Sequence, residues 1–176
     1  MNPFFSLPYD EFNVACLLMS HFPKKKGYSV LVPASRQEKG IDLVLMQRES
    51  KKSQCLTIQV KSCRYWPGRR KGQYNHNTWF RKFEVAPEAD WYTLFSLYPS
   101  DGPTMPRWIP IVWAFSHQQM SDFISGLGNE KFFYISFNDP KETFLTRPNR
   151  QPVPNLSQHL FEHKVNEIRQ SIQSQH

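Results

Sequence analysis

Only three of the 176 residues are cysteine, Cys16, Cys55 and Cys63. They are odd in number and no two stand as C-x-x-C, which excludes a disulfide framework or a zinc ribbon and leaves reduced, mostly buried thiols as the expectation. No apolar run approaches the roughly 18 residues of a membrane span, and the opening MNPFFSLPYDEF does not read as a basic flank followed by a long apolar stretch. A soluble, cytoplasmic protein with no membrane partner is therefore expected. A Gly-rich phosphate cradle, a G-x-S-x-G elbow and a Rossmann fingerprint are absent as well, which sets those nucleotide-binding and hydrolase classes aside. There is no internal repeat and no low-complexity segment.

What is present is bulky apolar surface and an uneven charge. Hydrophobic residues make up 39% of the chain, with 14 Phe, 7 Tyr and 5 Trp, enough to exclude wholesale disorder. The length suits one domain with appendages rather than two ordinary domains. The formal charge of +7 sits in the first half: residues 1–90 hold 15 Lys and Arg against 8 Asp and Glu, and residues 91–176 hold 7 against 7. That asymmetry favours a polyanionic partner such as nucleic acid.

Residues 8–22, PYDEFNVACLLMSHF, predict an amphipathic helix with Phe12, Ala15, Cys16, Met19 and Phe22 on one stripe and Asp10 and Glu11 in its first turn. YSVLVP at 28–33 predicts a strand, and 41–46 with 55–61 a hairpin. Residues 62–89 read as irregular, with WPGRRKGQYNHN an exposed loop before a short strand at FRKFEV. WYTLFSLY (91–98), WIPIVWAF (108–115) and KFFYISF (131–137) read as strands, and SHQQMSDFIS as a helix capped by Ser116. Four of the fourteen prolines fall in 138–154, which predicts an extended connector between a domain at 1–137 and a C-terminal helix at 155–176. That helix, capped by Asn155, carries Leu156, Leu160, Val165, Ile168 and Ile172 on one stripe and would pack on the domain or on a partner.

The hairpin GIDLVLMQRESKKSQCLTIQVKS, residues 40–62, holds the first candidate site. Along its strands Ile41, Leu43 and Leu45 point one way, as do Leu56, Ile58 and Val60, so burying the aliphatic rows together forces Asp42, Gln59 and Lys61 onto the opposite face. With the turn centred near residue 51, Asp42 lies beside residues 59–61. A hard cation such as Mg²⁺ takes a carboxylate, carbonyl oxygens and water, which Asp42, the Gln59 side chain and the Val60 main-chain carbonyl can supply. Lys61 can orient or deprotonate an attacking water, or stabilise charge on a pentavalent phosphorus. A half-exposed hairpin with ordinary polar positions shows the same alternation, so spacing alone leaves both readings open.

The order of a Glu in a first helix, a G-x-D at one strand and Q-V-K at the next resembles the PD-(D/E)XK nuclease superfamily. The likeness is to its Mrr-like, restriction-endonuclease branch, in which Gln can replace the acidic residue of E-x-K. It runs over residues 8–62, and ADWYTLFSLY extends it as the next strand. It implies an α/β fold with a restriction-endonuclease-like core, a central mixed β-sheet flanked by helices, plus a C-terminal helix. It implies Asp42 as the principal metal ligand, Gln59 at the second motif position, Lys61 as the catalytic lysine and Glu11 as the helix carboxylate completing the site. The function implied is a deoxyribonuclease hydrolysing phosphodiester bonds with Mg²⁺ or Mn²⁺; the alternative is a non-catalytic nucleic-acid-binding module with a degenerate nuclease site. Ile41 stands where the family has Pro, and Gln59 removes one negative charge from the cation's surroundings.

From Lys61 to Lys82 the chain carries Arg64, Arg69, Arg70, Lys71 and Arg81 with no acidic residue, interleaved with Tyr65, Trp66, Tyr74 and Trp79. Such a stretch suits phosphate contacts and base stacking beside a cleavage centre, with DNA as the partner; a solvated loop with tucked aromatics has the same composition. Two-fold pairing of chains would fit double-strand cutting. His159 and His163 stand four apart on the last helix without a third metal ligand, so a surface helix is the expectation there. Asp90 reads as a strand-start or turn residue.

Overall fold

The computed structural model describes residues 8–33, 40–48, 52–70, 73–81, 83–100, 107–127, 132–139, 142–146 and 156–175. The first helix, α1 (Tyr9–His21), has Asp10 and Glu11 in its opening turn and His21 in its last, each the sign that the helix dipole favours. Pro23 cannot continue it. One 3-10 turn at Lys24–Lys26 then ends on Gly27, whose positive φ of 83° turns the chain into β1 (Tyr28–Leu31). A side chain at Gly27 would meet the Arg48 carbonyl oxygen at 2.6 Å, so the turn needs glycine for space as well as for conformation.

β1, β2 (Leu43–Arg48) and β3 (Ser53–Ser62) form an antiparallel meander in which Leu43 faces Ile58 and Leu45 faces Leu56. β6 (Trp91–Ser100) pairs in parallel with β3, and β7 (Arg107–Ser116) is antiparallel to β6. The result is a five-stranded mixed sheet in the order β1-β2-β3-β6-β7, flanked by helices. A second, antiparallel sheet has the order β4-β5-β8-β9, from β4 (Arg64–Arg70), β5 (Gln73–Arg81), β8 (Phe132–Asp139) and β9 (Glu142–Thr146). α2 (His117–Gly126) follows β7 directly, and Ser116 opens it with the expected cap: its side chain accepts from Gln119 N–H while the Gln119 side chain accepts from Ser116 N–H. α3 (Phe161–Gln173) closes the chain.

The mixed sheet separates two cores. On one side Val14 and Leu18 of α1, Phe22 just after it, and Phe161, Ile168 and Ile172 of α3 pack on Leu43, Leu45, Leu56 and Ile58. On the other, Met120 and Ile124 of α2 join Phe80 and Phe133 of the second sheet against Tyr92, Leu94, Trp113 and Phe115. Each fully buried Leu or Phe contributes about 1.5–3 kcal/mol of transfer free energy, and these layers hold the sheet that carries the hairpin.

The structure corrects several expectations. The buried face of α1 is Glu11, Val14, Ala15 and Leu18, whereas Phe12 is 54% exposed and Met19 50%. Residues 62–89 are not one loop, because β4 and β5 form a hairpin within them. Pro67 and Gly68 read as breakers in sequence, but β4 is an edge strand, where proline is tolerated. β9 lies inside the stretch read as a connector and pairs with β8 across position 137. The last helix is broken: a 3-10 turn at Leu156–His159 precedes α3, and Leu160 between them bridges to Trp113 of β7. Leu156 therefore belongs to the second core while Val165, Ile168 and Ile172 belong to the first; Asn155 lies outside the described residues. Cys16 and Cys55 are exposed and Cys63 half-buried, so the thiols are not buried as expected. No helix among the described residues is long and apolar enough to cross a membrane.

Candidate active site

The meander brings Asp42, Gln59 and Lys61 to one end of the sheet. β2 ends at Arg48 and β3 starts at Ser53, so the open end of the hairpin is where β2 begins and β3 finishes. Just before β2 the chain bends at Asp42, whose N–H donates to the Ile58 carbonyl (3.0 Å) while its Oδ2 accepts from Val60 N–H (2.7 Å). The carboxylate thus takes over a backbone acceptor's role and grips β3 on either side of Gln59. Charge-assisted bonds of this length are about twice as strong as neutral ones.

Ile58 and Val60 face the first core, so Gln59 and Lys61 face the other side, in register with Tyr92 and Leu94 of β6. The Gln59 side chain is 6% exposed, and its Oε1 is buried without a hydrogen-bond partner. An unmet buried acceptor costs about 1–3 kcal/mol, and native structures keep few. Lys61 is half-buried with its Nζ 5.2 Å from the centre of the Phe83 ring. Burial lowers the Lys61 ammonium below the ordinary lysine range, and the Asp42 carboxylate opposes that shift.

The other expected residues are placed less directly. Glu11 is 8% exposed and stands on the inner face of α1 with Val14, Ala15 and Leu18, approaching from the layer that Val60 faces rather than the one that Gln59 and Lys61 face. Val60 packs in the first core through its side chain, leaving only its main chain to serve the site. Arg64, Arg69 and Arg70 lie on β4, which starts two residues after β3 ends, and Arg81 lies on β5; their side chains, and Lys71 and Lys82 altogether, lie outside the described residues. Among the described residues no three His, Cys, Asp or Glu side chains gather as a metal-holding group. A cation at this end of the sheet would therefore draw on amide and main-chain oxygens besides Asp42.

Sequence reasoning missed the loop between β5 and β6. Residues 83–90 are tied to β3 and to β6: Thr57 N–H donates to Asp90 Oδ2 (2.8 Å), and the Tyr92 hydroxyl donates to the Ala86 carbonyl (2.8 Å). The Thr57 hydroxyl lies within bonding distance of both the Glu88 carbonyl and Asp90 Oδ2, and the His117 ring bonds the Ala89 carbonyl at 2.9 Å through Nδ1. Gly40, with φ of 94°, lets this loop come close, since a methyl group there would meet the Ala86 Cβ at 2.4 Å. The one hint in sequence was Asp90 as a strand-start residue.

His159 and His163 do not form a metal pair: the His159 ring stacks on Phe115 with centroids 4.3 Å apart, while His163 is exposed. Compared with protein-family models, with curated proteins and with solved structures, the chain finds no match in any of the three.

Proposed function

We propose that this protein is a divalent-cation-dependent deoxyribonuclease that hydrolyses phosphodiester bonds at the open end of the β2–β3 hairpin. The observation that carries the reading is the buried, unpartnered Gln59 Oε1 beside the Asp42 carboxylate and the half-buried Lys61. A hard-cation site wants such oxygens, one anionic and others neutral, so these residues fit Mg²⁺ or Mn²⁺. Asp42, the Gln59 amide oxygen and the Val60 carbonyl would hold the ion, which when bound would supply Lewis-acid stabilisation of charge on the phosphoryl oxygens. Lys61, with its ammonium weakened by burial, would orient the attacking water or take its proton. Glu11 would assist from the first turn of α1.

DNA as substrate is supported by the positive excess of the first half of the chain and by the basic hairpin that leaves β3 at Ser62. Arg64, Arg69, Arg70, Lys71, Arg81 and Lys82 would contact backbone phosphates. A non-catalytic nucleic-acid-binding module is the second reading, and the neutral Gln59 where the resembled family has a carboxylate favours it.

Cleavage of plasmid, linear and branched DNA with and without Mg²⁺ separates the two. The expected result is Mg²⁺-dependent cleavage that falls about 10²–10⁴-fold in Lys61→Ala with folding intact, the usual share of a positioned acid or base. Cleavage surviving in Lys61→Ala or Asp42→Ala would reject this site. Salt-sensitive DNA binding without cleavage by the unaltered protein would establish the binding module instead.

A further inference from the structure

We propose that Glu88, in the loop before β6, supplies the second carboxylate of the cation site and stands in for the charge that Gln59 lacks. The proposal rests on the reading of Asp42 and Gln59 as cation ligands and names a further residue for that site. A methyl group built on Gly40 would lie 3.6 Å from Gln59 Nε2 and 3.6 Å from Glu88 Oε2, so the amide head and the carboxylate converge over the same glycine. Gln59 is more than nine-tenths buried and its Oε1 has no hydrogen-bond partner, which marks the spot as one where a ligand's charge or polar atoms would be met. The Glu88 carboxylate also acts on Tyr92, the register partner of Gln59 on β6: its phenol is raised first by burial and further by Glu88, against the Ala86 hydrogen bond.

The position of Glu88 is fixed from behind rather than by its own side chain. The Thr57 hydroxyl reaches the Glu88 carbonyl, Ala89 N–H donates to the Ala86 carbonyl at 3.2 Å, and Tyr92 holds Ala86. Glu88 is exposed, and among the described residues no hydrogen bond ties its carboxylate, which leaves it able to swing onto a cation. Asp42 is covalently committed to the meander and Glu88 to the loop. Two carboxylates from separate elements, together with the Gln59 amide, would restore the anionic charge that a hard divalent cation requires.

The test is Mn²⁺ binding to the full chain, followed by the electron paramagnetic resonance signal of the free ion, in the absence of nucleic acid. Four proteins are compared: unaltered, Asp42→Asn, Glu88→Gln and, as a control of equal charge change in the same loop, the exposed Glu84→Gln; thermal melting verifies that each folds. The expected result is binding weakened about tenfold or more by Glu88→Gln, with Glu84→Gln matching the unaltered protein. Unchanged affinity in Glu88→Gln, with binding lost in Asp42→Asn, would overturn the role of Glu88 and leave the Asp42 site standing. Equal weakening by Glu84→Gln and Glu88→Gln would reduce the effect to general charge and overturn it too. No Mn²⁺ bound by the unaltered protein would overturn the cation site itself, and this proposal with it.

Discussion

Asp90 joins two strands that the chain separates by more than thirty residues. Its Oδ2 accepts from both the N–H and the hydroxyl of Thr57, at 2.8 and 2.9 Å, and its own N–H donates back to the Thr57 carbonyl at 3.0 Å. Removing the carboxylate leaves a part-buried Thr57 N–H without that acceptor. Asp90→Ala is therefore expected to lose about 1–3 kcal/mol of stability in urea unfolding; a loss below about 0.5 kcal/mol, the scale of an ordinary surface change, would mean the latch holds little. That Gln59 and Lys61 share a face and that Asp42 lies beside Val60 was legible in the sequence, because strand alternation and hairpin register are local rules. The approach of Glu88 to Gly40 was not, since it depends on Thr57 and Tyr92, and no local periodicity records a loop held by distant partners.

Among the elements, α1 shows how an amphipathic reading can choose the wrong face. Of the expected stripe, Ala15 and Phe22 are buried but Phe12, Cys16 and Met19 are exposed, and Glu11, Val14 and Leu18 take the buried side instead. A helix with apolar residues on most sides carries its existence in its sequence but not its rotation. The segment before α3 differs for another reason, because Leu160 leaves the helix to bridge Trp113, and that bridge sets His159 against Phe115. Burial, and then the Lys164 ammonium, holds the His159 imidazole below the ordinary histidine range, while the Ala114 carbonyl and Glu167 pull upward. Its Nδ1 is buried without a partner, as suits a neutral ring. With the folded value below the unfolded one, the unfolded chain takes up the proton first as pH falls. Stability from this group is thus complete above the ordinary value of about 6.5 and is lost as pH drops below it. Urea unfolding of the unaltered protein and His159→Gln between pH 8 and 5 is expected to show their difference shrinking toward acid, and parallel profiles would exclude His159 as the cause.

At the scale of the molecule, the mixed sheet with helices on both sides follows from the mixture of strand and helix patterns along the chain. The second sheet does not, because β5 and β8 pair across a long stretch of chain, and the Pro67-Gly68 pair in β4 reads as a break rather than a strand. Pro67 and Pro110 both lie on edge strands, β4 and β7, the positions in a sheet that tolerate proline.

The parallel pairing of β3 with β6 sets an order in time. Neighbours in the β1–β2–β3 meander meet through short connections, whereas β6 reaches β3 only after residues 63–90 have closed around the β4–β5 hairpin. Non-local pairings of this kind form later, because loop closure costs entropy before any contact rewards it. In refolding followed by pulsed hydrogen exchange, the amides of β2 are expected to gain protection before those of Cys63 and Asp90, which bond across the parallel pair; simultaneous protection would remove the order. A chain caught between the two stages would have Asp42 bonded to β3 but the Glu88 loop not yet latched to Thr57, so the cation site proposed above would be complete only as folding finishes.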